Sequence, residues 1–317
     1  MVWALDLFEL PYDQPESPYD KLGQRREWLL PELVEYLVET PFGQLINHPL
    51  VHQFIVDSKR AAPLNRRYLE ARQCVNAVLA EGDPNYRDWR SFVHWHERPY
   101  RFWALSMIAD QLSDEEFWQL LSNVWNDSDN NWENAAGWRA LWNQARPIKH
   151  SAMDSFERRA FKRLPEKLTI YRGTCEGHAV DGMSWTPNRD YAIWFANRRH
   201  FIHDKPPVLI TARAKKADIH ALLIDRCWRR EIEIVIDQFD IVASETLTPT
   251  LYVATMSPDV LKGWQQMEEV APPEDLKDGI IRKAFRINGQ LDRQHHDPIL
   301  IAKYFAGLPF ESRRQAT

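Results

Sequence analysis

Three short segments between residues 171 and 236 carry the side chains best suited to chemistry. They are Tyr171-Arg172-Gly173, Gly182-Met183-Ser184-Trp185-Thr186 and Glu231-Ile232-Glu233-Ile234-Val235-Ile236. Each sets a polar group in or beside an extended apolar stretch. Together they offer one cation, two hydroxyls and two carboxylates to a single site. Arginine's planar fork suits a phosphate group. A carboxylate stabilises positive charge that develops as a bond breaks. Gly173, without a side chain, permits close approach to the backbone.

The spacing has a geometric consequence. Ser184 and Thr186 lie two apart, so in a strand they share a face. Glu231 and Glu233 do likewise, and Ile232 then points to the opposite side. The strands needed to hold them are legible. Lys167–Tyr171, Val208–Ala212 and Ile232–Ile236 read as extended, the last two rich in β-branched residues. Phe239–Val242 and Leu251–Ala254 add short extended runs. A short helix is expected over Arg189–Asn197.

Ahead of this β region the chain reads as helical. Helices are expected over Gln24–Glu39, Pro49–Ser58 and Asn65–Ala80. Ser113-Asp114-Glu115-Glu116 is a capping-box pattern, and Phe117, Leu120, Leu121 and Val124 follow it as one apolar face. Eight of the 14 tryptophans fall between Trp89 and Trp142 and read as the core of this helical part. Gly82-Asp83-Pro84 breaks the chain. The expected division is 1–82 as an N-terminal helical extension, 83–256 as the principal domain and 257–317 as a C-terminal helical extension. Within the principal domain, 83–164 reads as helical and 165–256 as the β core.

The order of the three segments resembles the Arg–Ser–Glu signature of the mono-ADP-ribosyltransferases, which split NAD+ and move ADP-ribose to an acceptor. The resemblance covers roughly 90 residues closely. It implies an α+β fold: a split antiparallel β core, preceded by a helical subdomain and followed by a short helical extension. It implies NAD+ as co-substrate without a metal. Arg172 would hold NAD+, Ser184 would hold the site together, Glu233 would be catalytic and Glu231 would position the acceptor. Gly173 and Thr186 would contribute to NAD+ binding. Ala192-Ile193-Trp194-Phe195-Ala196 is similar to the helix after the serine motif, which adds Phe195 to the NAD+ contacts. The pattern departs from Ser-Thr-Ser at Trp185, which reads as a core residue. Such enzymes act as toxins or in phage–bacterium conflict, so an inhibitor or antitoxin protein is an implied partner.

The acceptor is addressed by the segment just before the carboxylates, Asp225-Arg226-Cys227-Trp228-Arg229-Arg230. Its cations would repel an arginine acceptor and attract a polyanion, and Trp228 could stack on a base. Arg198, Arg199, Arg213, Lys215 and Lys216 could extend this patch. Trp228, Arg229 and Arg230 are the candidate acceptor contacts. A nucleic acid is slightly favoured over a protein arginine. An NAD+ glycohydrolase and an inactive binding module are the alternatives.

Composition agrees with a globular chain of 317 residues, 44% apolar, with net charge −5. Three distant cysteines, Cys74, Cys175 and Cys227, form no disulfide framework and no zinc spacing, and fit a reducing cytoplasm. No secretory signal and no 18-residue apolar run is visible, so no membrane association is expected. Asp127–Asn131 starts like a calcium loop, but Trp132 and Trp138 occupy the required glycine and glutamate positions. His94, His96, His295 and His296 lack further ligands at metal spacing. Neither Gly-x-x-x-x-Gly-Lys nor Gly-x-Gly-x-x-Gly occurs, so NAD+ is not expected on a Rossmann domain.

Overall fold

The computed structural model describes residues 29–40, 43–55, 61–83, 87–128, 131–224, 231–249 and 303–308. These are mixed helix and antiparallel sheet, an α+β chain. Contacts divide it into two compact units, Met1–Leu112 with His296–Thr317, and Ser113–His295. No helix of the described residues is long and apolar enough to cross a membrane. The expected boundary at 256/257 and the run Leu251–Ala254 lie outside the described residues.

The first unit corrects two expectations. Where helices were expected over 24–39 and 49–58, the described residues form α1 (Pro31–Val34) and a three-stranded antiparallel sheet. Its strands are β1 (Leu37–Thr40), β2 (Gly43–His48) and β3 (Val51–Ile55), paired in that order. His48 opposes Val51, so Pro49-Leu50 forms a two-residue turn, and the Leu50 amide donates to His48 Nδ1 at 3.0 Å. Short apolar runs fit either period. Here the turn at Pro49 and the β-branched Val38, Thr40, Val51 and Ile55 decide for strand. The helix expected from Asn65 begins earlier, as α2 (Ala61–Ala80), with Leu64, Tyr68, Ala71, Val75 and Leu79 buried along one stripe. α3 (Trp89–Trp95) is capped by Asp88, whose carboxylate accepts from the Ser91 amide at 2.9 Å. α4 is Arg101–Ile108.

The second unit begins with α5 (Asp114–Asp127). The expected capping box is present, with Ser113 accepting from the Glu116 amide and Glu116 accepting from that of Ser113. α6 (Ala135–Trp142), α7 (Ser155–Lys162), β4 (Lys167–Cys175), β5 (Ser184–Trp185) and α8 (Arg189–His203) follow. Then come β6 (Pro207–Lys215), β7 (Ile219–Ile224), β8 (Ile232–Ile236) and β9 (Asp240–Thr246). β7 was not foreseen as a separate strand. The strands form two antiparallel sheets, ordered β4-β6-β9 and β5-β8-β7. Among the described residues one backbone-paired pair joins them: the Tyr171 amide donates to Thr186 O at 2.8 Å and the Thr186 amide to Tyr171 O at 2.9 Å. Trp118, Trp125, Trp138 and Trp142 of α5 and α6 are buried together, with Trp125 edge-on to Trp138 at 5.2 Å. These four bear out part of the expected tryptophan core; Trp89, Trp95 and Trp103 belong to the first unit, and Trp95 and Trp132 are exposed.

Four enclosed histidines make both units sensitive to acid. Burial lowers His48 to about 3 and His52 and His96 to about 4 in the first unit. In the second, burial and the adjacent Lys149 ammonium lower His220 to about 4, with Asp237 opposing. The ordinary histidine value is near 6.5, so an unfolded chain takes up these protons first. Their contribution to stability is complete above about pH 6.5 and is lost as pH drops toward 4. Thermal melts followed by circular dichroism should show the midpoint falling across that window. A flat midpoint there would contradict neutral, enclosed imidazoles.

Candidate functional site

The junction of the two sheets gathers the predicted residues. β5 opposes β8 with Ser184 facing Val235 and Trp185 facing Ile234. Continued by one step, this register sets Thr186 opposite Glu233. Thr186 is thus tied to Tyr171 on one side and lies beside the Glu233 strand on the other. Directly opposed residues share a face, so Ser184, Thr186, Glu231 and Glu233 lie on one side of their sheet. Trp185, between the two hydroxyls, lies in the core, where its Nε1–H donates to Gly182 O at 2.7 Å and its ring meets Phe239.

Arg172 Nη1 donates to Ser184 O at 2.7 Å, a cross-link from β4 to β5. Its Nε is buried with no hydrogen-bond partner. Burial, and next the Arg199 charge, lower its affinity for a proton to about 10, while the Glu233 and Asp181 carboxylates oppose that shift. The guanidinium stays charged at neutral pH, held in a poorly solvated place beside a second cation and two carboxylates. It lies against the Cα of Gly182, where any side chain would collide with it. The glycine of the second motif is therefore a seat for the arginine of the first.

Gly173 has two roles by geometry. On one side its missing side chain admits the backbone of α8 at Ala192 and Ala196. Its backbone direction follows from strand alternation. Tyr171 gives both its N–H and C=O to Thr186, so the Tyr171–Thr211 pair carries no ladder bonds. Two residues on, the Gly173–Leu209 pair has the same character, and Gly173's N–H and C=O point away from β6. Phe195, half-buried on α8, packs at 4.7 Å on Trp194.

Glu233 is half-buried and accepts a hydrogen bond from Trp125 Nε1–H at 3.0 Å. Arg139 on α6 braces the same end of the site. Its Nε donates to Asp237 Oδ1 at 2.7 Å and its Nη2 to Asp181 O at 2.5 Å. Asn143 adds a bond to Asp237 Oδ2 at 3.1 Å. Sequence spacing could not reveal Trp125, 108 residues from its partner, nor Arg139, Asp181 and Asp237. Gly182 stood in the quoted motif with no role assigned. Glu231 is half-buried immediately before β8. Trp228, Arg229 and Arg230 lie outside the described residues. Among the described residues, no group of three His, Cys, Asp or Glu is arranged to hold a metal ion.

Comparison of the chain with protein-family models, curated proteins and solved structures returned no significant match.

Two substitutions test the assembly of the site by stability. Trp125→Phe keeps a ring but removes the donor to a carboxylate, and should cost about 1–3 kcal/mol in urea unfolding. Gly182→Ala drives the guanidinium from its seat, with an overpacking cost of about 1–3 kcal/mol. Unchanged midpoints in both would contradict the contacts described.

Proposed function

We propose that this chain is a mono-ADP-ribosyltransferase, moving ADP-ribose from NAD+ to a macromolecular acceptor with release of nicotinamide. The observation that carries the reading is the convergence of Arg172, Ser184, Thr186 and Glu233 on one sheet junction. The specific ADP-ribosyltransferase fold belongs to the same proposal. It is supported by two three-stranded antiparallel sheets that, among the described residues, meet at one backbone-paired residue pair.

The chemistry follows from those groups. The bond from ribose C1′ to the nicotinamide nitrogen breaks, and its electron pair leaves with nicotinamide, neutralising the pyridinium. The ribose is left with oxocarbenium character. Glu233, anchored by Trp125, supplies fixed negative charge where that positive charge develops. Arg172 brings a partnerless N–H and a poorly solvated charge to the pyrophosphate, and Arg199 is a second cation close by. The outward N–H and C=O of Gly173 can pair with a planar carboxamide. Glu231, two residues before Glu233 on the same face, takes the proton of the acceptor as it bonds to C1′.

Incubating the protein with NAD+ labelled in the adenylate phosphate, in a cell extract, should give macromolecular label. Digestion with nuclease or protease then assigns the acceptor. Glu233→Ala should abolish labelling while its circular dichroism stays that of the wild type. Label appearing solely as free ADP-ribose would replace transfer with hydrolysis. Absence of NAD+ consumption would leave a binding module.

A further inference from the structure

The outer face of α7 has no part in the site described above, yet its composition is specific. Phe156, Arg159, Ala160 and Arg163 recur at helical spacing, one stripe along the helix and its C-cap. With Leu164 they line a shallow depression of about 320 Å³. Phe156 is 56% exposed, the largest exposure among the protein's described exposed large apolar side chains. The ring lies about one turn before Arg159 and two turns before Arg163 on the same stripe, an apolar surface continued by two cations.

The charges around it are unbalanced. Arg159, Lys162, Arg163, Lys167 and Lys215 have no carboxylate partner among the described residues. The acids of the helix are already engaged: Glu157 is buried, and it and Asp154 make the capping box. Glu166, beyond the helix, faces Lys216 at 3.9 Å. Lys167 of β4 directly opposes Lys215 of β6. Like charges opposed across two strands destabilise the sheet unless an anion lies over them.

The stripe also starts at a definite place. Glu157 Oε1 accepts from the Ile224 amide at 2.9 Å, clamping the end of β7. Ile224 opposes Ile232, the residue between Glu231 and Glu233. The first turn of α7, where the stripe starts, is therefore tied to the end of β7 that pairs with the start of β8.

We propose that this face is a docking surface for single-stranded nucleic acid, with Phe156 as a stacking platform and the flanking cations as phosphate contacts. Arg159 and Arg163 are displaced by about 6 Å along the helix, a spacing comparable to that of neighbouring phosphates on an extended strand. An exposed ring selects single strands, because a duplex hides the faces of its bases. An acidic polypeptide would use the cations and leave the ring idle. That the bound strand is also the acceptor rests on the transferase reading; the binding itself does not.

Fluorescence anisotropy with a short fluorescein-labelled RNA tests the surface directly on the full chain. Saturable binding should weaken steeply between about 50 and 200 mM salt. The double variant Arg159→Gln, Arg163→Gln should raise Kd about tenfold or more and reduce the salt slope by roughly two. Phe156→Ala should raise Kd several-fold with the slope unchanged, since stacking carries no charge. These side chains are exposed, so circular dichroism should not change. No saturable binding by the wild type would overturn the proposal. So would equal affinity for a duplex of the same length or for polyglutamate, or variants that bind like the wild type. Nicotinamide release measured on the same samples separates the two claims. Release without strand binding defeats the surface; strand binding without release defeats the transferase.

Discussion

Two backbone hydrogen bonds, 2.8 and 2.9 Å long, join Tyr171 to Thr186 and thereby hold one sheet to the other. The segments that carry Arg172, Gly173, Ser184 and Thr186 meet at that pair. It fixes the direction of Tyr171's backbone groups, and strand alternation then turns those of Gly173 outward. It sets Thr186 in line with Glu233 through the β5–β8 register. Beyond the pair, the edge of β4 is left open near Arg172, whose side chain makes its own bond to Ser184 O. A split of this kind is a way to bring polar groups from two strands together without a continuous ladder consuming their hydrogen-bonding capacity.

The helices brace that junction from one side. Trp125 reaches Glu233 from a core of buried tryptophans, so the carboxylate is oriented by a ring that has little freedom to move. Arg139 and Asn143 hold Asp237 just past β8, and Arg139 also holds Asp181 in the segment that presents Gly182 to Arg172. The tryptophans of residues 118–142 thus have a consequence beyond core volume. They make rigid the surface on which the charged groups rest.

The second unit was more legible than the first. Motif strands with β-branched runs, the capping box at Ser113 and the shared face of Trp138 and Trp142 all state their structure locally. The β1–β3 region does not: Leu37 and Val51 gain their conformation from pairing with Ile46 and His48, a tertiary choice that short apolar runs leave open. The site divides in the same way. Arg172, Ser184 and Glu233 stood out by the order of their motifs and its resemblance to the Arg–Ser–Glu signature, and a period of two set Thr186 beside Ser184. Trp125, Arg139 and the seat at Gly182 could not, because each acts through a contact with a residue distant in the chain.

The central claim is that this junction breaks the nicotinamide bond, with Glu233 supplying its charge in the transition state rather than in the ground state. The direct measurement compares wild type and Glu233→Gln for NAD+ affinity and, separately, for nicotinamide release at saturating NAD+. The account predicts nearly equal Kd values and a release rate lower in the variant by about a hundredfold or more. Equal release rates, or a variant that loses binding and release in the same proportion, would contradict it.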